Sequence, residues 1–462
     1  MKSMKLFNKY LLSMTLLLLG SCTSYLDLKP HGKTIPKTPE EYSALVHQMI
    51  YDIEGEADNY MMPNTNDVIY SEAVSDNLDA NIYLGQEIIP FYLGQQLGKN
   101  YYSKLYQYIR NCNIILDGLK DDQTDFSKKV KSVAHAFRGV CYFELTKLYC
   151  QAPEGGVYPE LGMPIVETFD MEARPVRSSY AKTIEFIEND FVNSLEIFNM
   201  QDEVFMFTPD VVKACLARFY FWTAKWEQAV NVAEDLLAKY PVAPMGTFGQ
   251  MVLGNTLTPN MILRYKNTMS QSHSVSDRVY TSLKNRPVSI DFMNIFDNST
   301  NDVRFIQSVN SRRNPIKLFI GAIRSEEMLL IAAESSYYLQ DNDKAISLIN
   351  TLRDNRIAGN THITASTIPV VQDRSVVVQD AMGNPLTPLS RFIINERRKE
   401  MFMEADRMMQ LKRLGSPEFW VSRNGLAYTT RKFMYTYPIP SDDIQLNKGI
   451  IQNEGYTEFV YN

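Results

Sequence analysis

Along most of this chain, apolar residues recur three and four positions apart. That period predicts a mostly helical fold. The first such stretch begins at Pro39-Glu40-Glu41-Tyr42, with Thr38 placed to cap it, and runs on through Leu45, Val46 and Met49. Tyr102, Leu105, Tyr106, Ile109 and Cys112 share one face of a helix over 101–119, and Val133, Ala136, Phe137, Val140, Cys141, Leu145 and Leu148 do the same over 127–150. A further helix is expected over about 178–198. Residues 52–100 follow no period, and Pro153, Gly155-Gly156, Pro159, Gly162 and Pro164 mark a long loop. The stretch 240–320 is turn-rich. Ile368, Val370 and Val371, then Val376, Val377 and Val378, predict β structure within 361–388, punctuated by Met382-Gly383-Asn384-Pro385. Helix is expected again over 389–414, and the tail from 415 reads as irregular.

Two helical segments, 209–239 and 325–357, look like copies of one unit. Ala217 and Ala229 in the first match Ala333 and Ala345 in the second at a constant offset of 116, and Val230 matches Ile346 at the same offset. Small residues at fixed places on paired helices let the backbones approach closely, which is the logic of tetratricopeptide units. The expected fold is therefore mostly α, a tetratricopeptide-like scaffold with long ligand-binding loops and minor β. Trp222 and Trp226 fall in the first unit and are expected in the core.

The amino terminus changes the picture. Lys2, Lys5 and Lys9 precede an apolar run, Leu11 to Leu19, that ends in Leu19-Gly20-Ser21-Cys22. The run is shorter than the roughly 20 residues a bilayer span needs, so 1–21 reads as a signal peptide. Small residues before a cysteine fit lipidation at Cys22. Several acyl chains, at about 0.8 kcal/mol per buried CH₂, would make the attachment permanent. Residues 22–38 then form a lipidated tether, and 39–462 are expected to be one domain with parts at about 39–240 and 241–462.

The whole sequence carries 47 basic and 53 acidic residues, and removal of the three leader lysines makes the body more acidic. That balance argues against a nucleic-acid partner, which needs a basic footprint. Cys112, Cys141, Cys150 and Cys215 remain. Cys141 and Cys150 lie nine residues apart on one helix, about 13.5 Å along its axis, too far to bridge. Buried free thiols are expected.

Five blocks in order resemble the SusD/RagB family of nutrient-uptake outer-membrane lipoproteins. The first is the lipidation segment. Ala136-Phe137-Arg138 … Tyr142-Phe143-Glu144-Leu145 … Tyr149 is similar to a family helix, as is Arg324-Ser325-Glu326-Glu327-Met328 … Ala333-Glu334 … Leu352-Arg353 … Arg356. Two C-terminal blocks are the most specific: Glu396-Arg397-Arg398-Lys399-Glu400 … Glu404-Ala405-Asp406-Arg407 … Leu411-Lys412-Arg413, and Tyr437-Pro438-Ile439-Pro440 … Asn447 … Gln452-Asn453-Glu454-Gly455-Tyr456. Ala405 departs from a usual glycine. The resemblance implies a binding protein without catalysis. It would capture oligosaccharides or polysaccharides, or peptides in some members, at the cell surface, and pass them to a SusC-like TonB-dependent transporter. A scaffold subunit that binds no ligand is a further alternative. The implied place is the outer membrane, held by the lipid anchor and exposed at the cell surface.

The residues contain no H-E-x-x-H and no G-x-S-x-G, and the five histidines are scattered. Gly94-Gln95-Gln96-Leu97-Gly98-Lys99-Asn100 has the wrong glycine spacing for a phosphate loop, and Asn where Ser or Thr should stand. The carboxylates of Glu396, Glu400 and Glu404 sit beside arginines and read as an ion-paired helix face. No cofactor is expected, and a structural Ca²⁺ among loop carboxylates is left open. Ligand contact must then come from aromatic faces with amide and carboxylate neighbours. Tyr70, Tyr83, Asn77 and Asn81 in the irregular 51–106 stretch, and Trp420 after the Gly-Ser-Pro break, are the candidates. Tyr101, Tyr102 and Tyr106, at helical spacing, are expected to pack in the core.

Overall fold

The computed structural model describes residues 36–54, 59–79, 90–170, 172–198, 205–252, 257–265, 281, 283, 286–372, 374–423 and 426–456. The leader, Cys22, the start of the tether, Asn81 and Tyr83 lie outside the described residues. Among those described, no helix is long and apolar enough to cross a membrane.

Helices dominate, in the order α1 (Pro39–Glu54), α2 (Thr65–Ala73), α3 (Tyr101–Gly118), α4 (Asp125–Tyr149), α5 (Tyr180–Ile197), α6 (Pro209–Trp222), α7 (Trp226–Leu237) and α8 (Met245–Val252). The short α9 (Ile290–Asn294) and α10 (Val303–Ile306) precede α11 (Ser325–Tyr338), α12 (Asn342–Asp354), α13 (Pro388–Glu400), α14 (Arg407–Arg413) and α15 (Ser441–Leu446). Among the described residues, six short strands make three antiparallel two-stranded ribbons: β1 (Leu161–Pro164) with β2 (Arg177–Ser179), β3 (Met261–Arg264) with β4 (Ala322–Arg324), and β5 (Phe419–Arg423) with β6 (Leu426–Thr430). The expected helices near 101, 127, 178 and 209 are all present. Their starts follow from capping: Thr124, Ser179 and Thr208 each accept a hydrogen bond from the backbone N–H three residues on.

Helices α3, α4, α5, α6 and α7 pack each on the next, and α7 then packs on α11, which pairs with α12. The repeat read from the alanines is present in the backbone as well. Ala217, Ala229, Ala333 and Ala345 are all fully buried. The turn in each unit uses a non-glycine residue at positive φ, Ala224 at 59° and Gln340 at 64°, and these are also 116 apart. The same offset relates the hydrogen bonds that close the turns, from Lys225 N to Tyr220 O and from Asp341 N to Ser336 O. Where the units meet, Trp226 stacks on Tyr338 with centroids 4.3 Å apart.

Four expectations need correction. Among the described residues of 361–388 there is no strand, only an isolated bridge between Gln379 and Pro385. A valine run becomes a strand when a partner ladder and a covering face are available. Here Val370 is 95 % exposed and Val378 70 %, while turn chemistry around Asp380 folds the segment back: its carboxylate accepts from the N–H groups of Met382 and Asn384. The stretch 52–100 contains α2, started by a capping box in which Asn64 and Asp67 each accept from the other's backbone. The tail, expected to be irregular, contains the β5–β6 ribbon.

The helix expected over 389–414 is broken. After α13 the chain turns through Met403 (φ 61°) and Ala405 (φ 60°) before α14 begins. An L-residue in that region costs about 1–2 kcal/mol, and glycine gives back part of that gain through its freer unfolded chain. Ala405→Gly is therefore expected to stabilise the fold by about 0.5–1 kcal/mol, seen as a higher urea midpoint at unchanged slope. A lower midpoint would show that packing of the Ala405 methyl outweighs the strain.

The four cysteines are buried free thiols, as expected. The ion-paired face of α13 is also present, but in the core and not at the surface. Glu396, Arg397, Arg398, Lys399 and Glu400 are all buried. Arg304 and Arg353 each donate to Glu396, Arg324 and Arg356 donate to Glu400, and Lys317 donates to Glu404. With Asp297, Asp302, Glu326 and Lys399 the lattice holds six carboxylates and six cations. The balance explains why so many charges tolerate burial: each ion is desolvated, and each finds an opposite charge within hydrogen-bond reach.

Candidate functional site

A cleft of about 700 Å³ opens where four segments meet. Gln151 to Glu154 come from the loop that ends α4. Lys412, Gly415, Ser416 and Glu418 come from the end of α14 and the chain leading to β5. Arg431, Lys432, Phe433 and Thr436 follow β6, and Asn453 to Gly455 close the far side. The walls present hydrogen-bonding groups of both signs, and Phe433 adds a ring. Lys432 donates to Glu154 at 2.6 Å, and Arg431 donates to Glu418 at 3.1 Å. The Lys432 ammonium lowers the Glu154 carboxyl below its usual range, and the backbone N–H of Lys432 does the same for Glu418. At the base, Lys412 is buried and donates to the carbonyls of Lys147 and Leu148, capping the C-terminal end of α4. Burial pushes its pKa down to about 7.

The β5–β6 ribbon carries Trp420, and the residues that flank it, Glu418 before β5 and Arg431 after β6, line this cleft. Phe419 pairs with Thr430 and Trp420 with Thr429. Val421, Tyr428 and Thr430 are buried, and Trp420 and Thr429 face out. Side chains two apart leave a strand on the same side, about 7 Å from one another. Trp420 is thus an outward-facing residue of the ribbon, two positions after the cleft residue Glu418. It is 64 % exposed, whereas Trp222 is buried and Trp226 half-buried, as expected for core residues.

The other sequence candidates lie elsewhere. Tyr70, on α2, is buried and lines a separate chamber of about 90 Å³ with Tyr60, Tyr101 and Tyr437. Asn77 is fully buried and has a structural place: it donates to Glu72 at 2.7 Å and accepts from Arg398 at 2.7 Å. Both bonds tie α2 to α13, so its amide is not offered to a ligand. Tyr101 and Tyr102 are buried, and Tyr106 packs against the core. The glycine-rich 94–100 segment is a short 3₁₀ turn, and Gly94 is required because a Cβ there would lie 2.1 Å from the Tyr437 ring. Among the described residues, no three His, Cys, Asp or Glu gather as metal ligands.

The polar cleft residues themselves were missed by sequence reasoning. The sequence offered the Pro153-Gly155-Gly156 loop, the Gly-Ser-Pro break and two family blocks, but nothing that brought them together, because the site is assembled from segments up to about 300 residues apart. Most of the residues behind the family resemblance turn out to be structural. Asn453 donates to the carbonyls of Tyr149 and Tyr437, the Gln452 amide brackets Ile439 N–H and C=O, and Arg138 grips Asp190 with two bonds of 2.8 Å.

Two family models match the chain in order. One, described as starch-binding and associating with the outer membrane, matches residues 24–221, and the SusD family model matches 320–456. No curated protein matches the sequence. Solved structures share the fold. A SusD superfamily protein of Bacteroides thetaiotaomicron is 18 % identical with a TM-score of 0.69, over 90 % of this chain and 99 % of that one. A SusD-like carbohydrate binding protein of Bacteroides vulgatus is 18 % identical with a TM-score of 0.67, over 90 % and 98 %. A SusD superfamily protein of Bacteroides fragilis is 17 % identical with a TM-score of 0.65, over 90 % and 100 %. With both models placed in chain order on a fold shared along nine-tenths of its length, this chain belongs to the SusD/RagB family.

Proposed function

We propose that this protein is a lipid-anchored binding protein of the outer-membrane surface. In this reading it captures oligosaccharides in the cleft beside Trp420 and delivers them to a SusC-like TonB-dependent transporter. The observation that carries the reading is an open cleft lined by polar groups and the Phe433 ring, with the exposed Trp420 on the ribbon whose flanking residues Glu418 and Arg431 line it, in a chain of this family. A sugar has C–H faces that stack on aromatic rings and hydroxyls that pair with amides, carboxylates and cations, and this cleft offers both kinds of partner. The description of the family model matching 24–221 and the carbohydrate-binding relative from Bacteroides vulgatus point the same way.

Glycoside hydrolysis is not part of this reading. A general acid needs a carboxyl held above its usual range. Glu154 and Glu418 are both shifted below it by cationic or N–H partners.

The test is calorimetry and affinity electrophoresis on the chain from residue 23, against polysaccharides, oligosaccharides and peptide digests, with each mixture checked for cleavage. Saturable binding to one glycan class without products is the expected result. Binding of peptides alone would replace the ligand and keep the architecture. Release of products would overturn the non-enzymatic reading. Copurification of the lipidated protein with a TonB-dependent channel tests the delivery step.

A further inference from the structure

We propose that Gln379, which belongs to none of the four cleft segments, is a positioning residue of the cleft: seated against Gly415, it holds the Glu154 carboxylate in place for the ligand. The proposal rests on the reading of the cleft as the binding site. Gln379 donates from Nε2 to Glu154 Oε1 at 3.5 Å, while Lys432 donates to the other oxygen, Oε2, at 2.6 Å. The carboxylate is thereby held at both oxygens, by groups from two different parts of the chain. It accepts at about four lone-pair sites, so acceptor capacity remains for sugar hydroxyls. The Glu154 side chain is 50 % exposed and the residue lines the cleft.

The same amide touches a second cleft segment. Gly415 has φ 92°, and a Cβ there would lie 2.2 Å from Gln379 Nε2 and 2.8 Å from its Cδ. The absence of a side chain lets the amide lie against the backbone at this point. The loops meet once more three residues on, where a Cβ on Gly156 would lie 2.8 Å from Met382 Cε. One short stretch, 379–382, therefore touches the chain at Glu154 and Gly156 and again at Gly415.

That stretch is itself anchored. Val377, Asp380 and Ala381 are buried, and Asp380 closes the turn through the N–H groups of Met382 and Asn384. The Ala381 N–H donates to Tyr338 Oη at 2.9 Å, and Tyr338 is the ring stacked on Trp226 where the two repeat units meet. The backbone on both sides of Gln379 is thus fixed by the helical scaffold. Lys432 is the looser holder, because its side chain is 58 % exposed on a flexible stem. A carboxylate ordered in advance binds hydroxyls better than one immobilised on contact, and Gln379 supplies that order.

Two variants test this, each first in the ligand-free chain from residue 23. The Glu154 carboxyl, which lies below its usual range, is titrated by ¹³C NMR of protein labelled at the glutamate carboxyls, with Glu154→Gln identifying its signal. Gln379→Ala is expected to raise its pKa. Gln379→Glu is expected to raise it further, since two carboxyls this close compete for one proton. Calorimetry with maltoheptaose, cellohexaose and xylohexaose then reads binding. Gln379→Ala should weaken whichever of these the parent binds by about five-fold, the effect of freeing one ordered side chain. In a Glu154→Gln background the same change should cost less than about two-fold. Gln379→Glu should bind poorly at about pH 8 and recover, relative to the parent, toward about pH 5 as the pair takes up a proton, a profile that a purely structural role would not produce. An unmoved Glu154 titration would overturn the proposal, as would parent-like affinity in both variants or an undiminished loss in the Glu154→Gln background. Each of these leaves glycan capture in the cleft standing. No binding of the three sugars by the parent would overturn the proposal together with that reading.

Discussion

Glu400→Gln is expected to destabilise the fold by about 3–5 kcal/mol. Glu400 is fully buried. One oxygen accepts from Arg324 and Arg356 at 2.7 and 2.9 Å, and the other from Arg356 at 2.9 Å. Gln keeps the volume and removes the charge, leaving two guanidiniums that are themselves fully buried with an uncompensated excess. The low dielectric that made the pair strong makes its loss costly. The contrast is Glu234→Gln. Glu234 meets Lys344 at 2.8 Å, but the two side chains are 43 % and 34 % exposed, and such pairs contribute at most about 1 kcal/mol. Urea unfolding of the three proteins decides the matter. Equal midpoints for Glu400→Gln and the parent would mean that the lattice is hydrated and worth little.

The same lattice sets the acid limit of stability. Burial alone would raise the carboxyl of Glu400, but Arg356 and Arg324 outweigh it and hold it far below the usual range; Arg304 and Lys399 do the same for Glu396. Arg398 and Arg407 bring Asp76 down to about 2 against its burial. A depressed folded value contributes stability above the unfolded pKa, near 4.3 for Glu, that is lost as pH falls. The urea midpoint should therefore drop steeply below about pH 4.5, and more shallowly in Glu400→Gln. Glu72 has the opposite sign. Burial pushes it up to about 7 despite hydrogen bonds from Asn77 and Met403, so its contribution is greatest in acid and fades as pH rises through that value.

What the sequence made legible was local and periodic. The helices over 101–118 and 125–149 follow from apolar spacing and caps, and the repeat followed from four alanines. What it concealed was non-local. The Glu396–Glu400 run reads as a surface helix by composition, because nothing in a 13-residue window shows that Arg304, Arg324 and Arg356 arrive to neutralise it. Asn77 resembles a ligand donor in a loop for the same reason: its partner Arg398 is 321 residues away. The valines of 361–388 carried β propensity without a partner strand, which is a property of the fold and not of the segment. Trp420 was recognisable as a candidate by residue type alone. The polar wall near it was not, since its four segments are adjacent only after folding.

Trp420→Ala is expected to weaken glycan binding by about 30-fold. Covering roughly 80 Å² of indole face with sugar C–H groups contributes about 2 kcal/mol, which is about that factor in Kd. The position makes the test clean. Trp420 is 64 % exposed and its backbone is held by the ribbon pairing to Thr429, so folding stability should change by less than about 0.5 kcal/mol. The partner substitution is Glu154→Gln. It keeps the shape of the rim and removes the charge that Lys432 balances, so it should change affinity by less than about ten-fold and leave the ring contribution intact. Calorimetry with the best ligand from the panel separates the possibilities. If Trp420→Ala binds like the parent while Glu154→Gln loses affinity, the ligand is held by the polar wall alone and stacking has no part in recognition. If neither change matters and binding persists, capture occurs away from this cleft, and the SusD-like scaffold presents its ligand on another face.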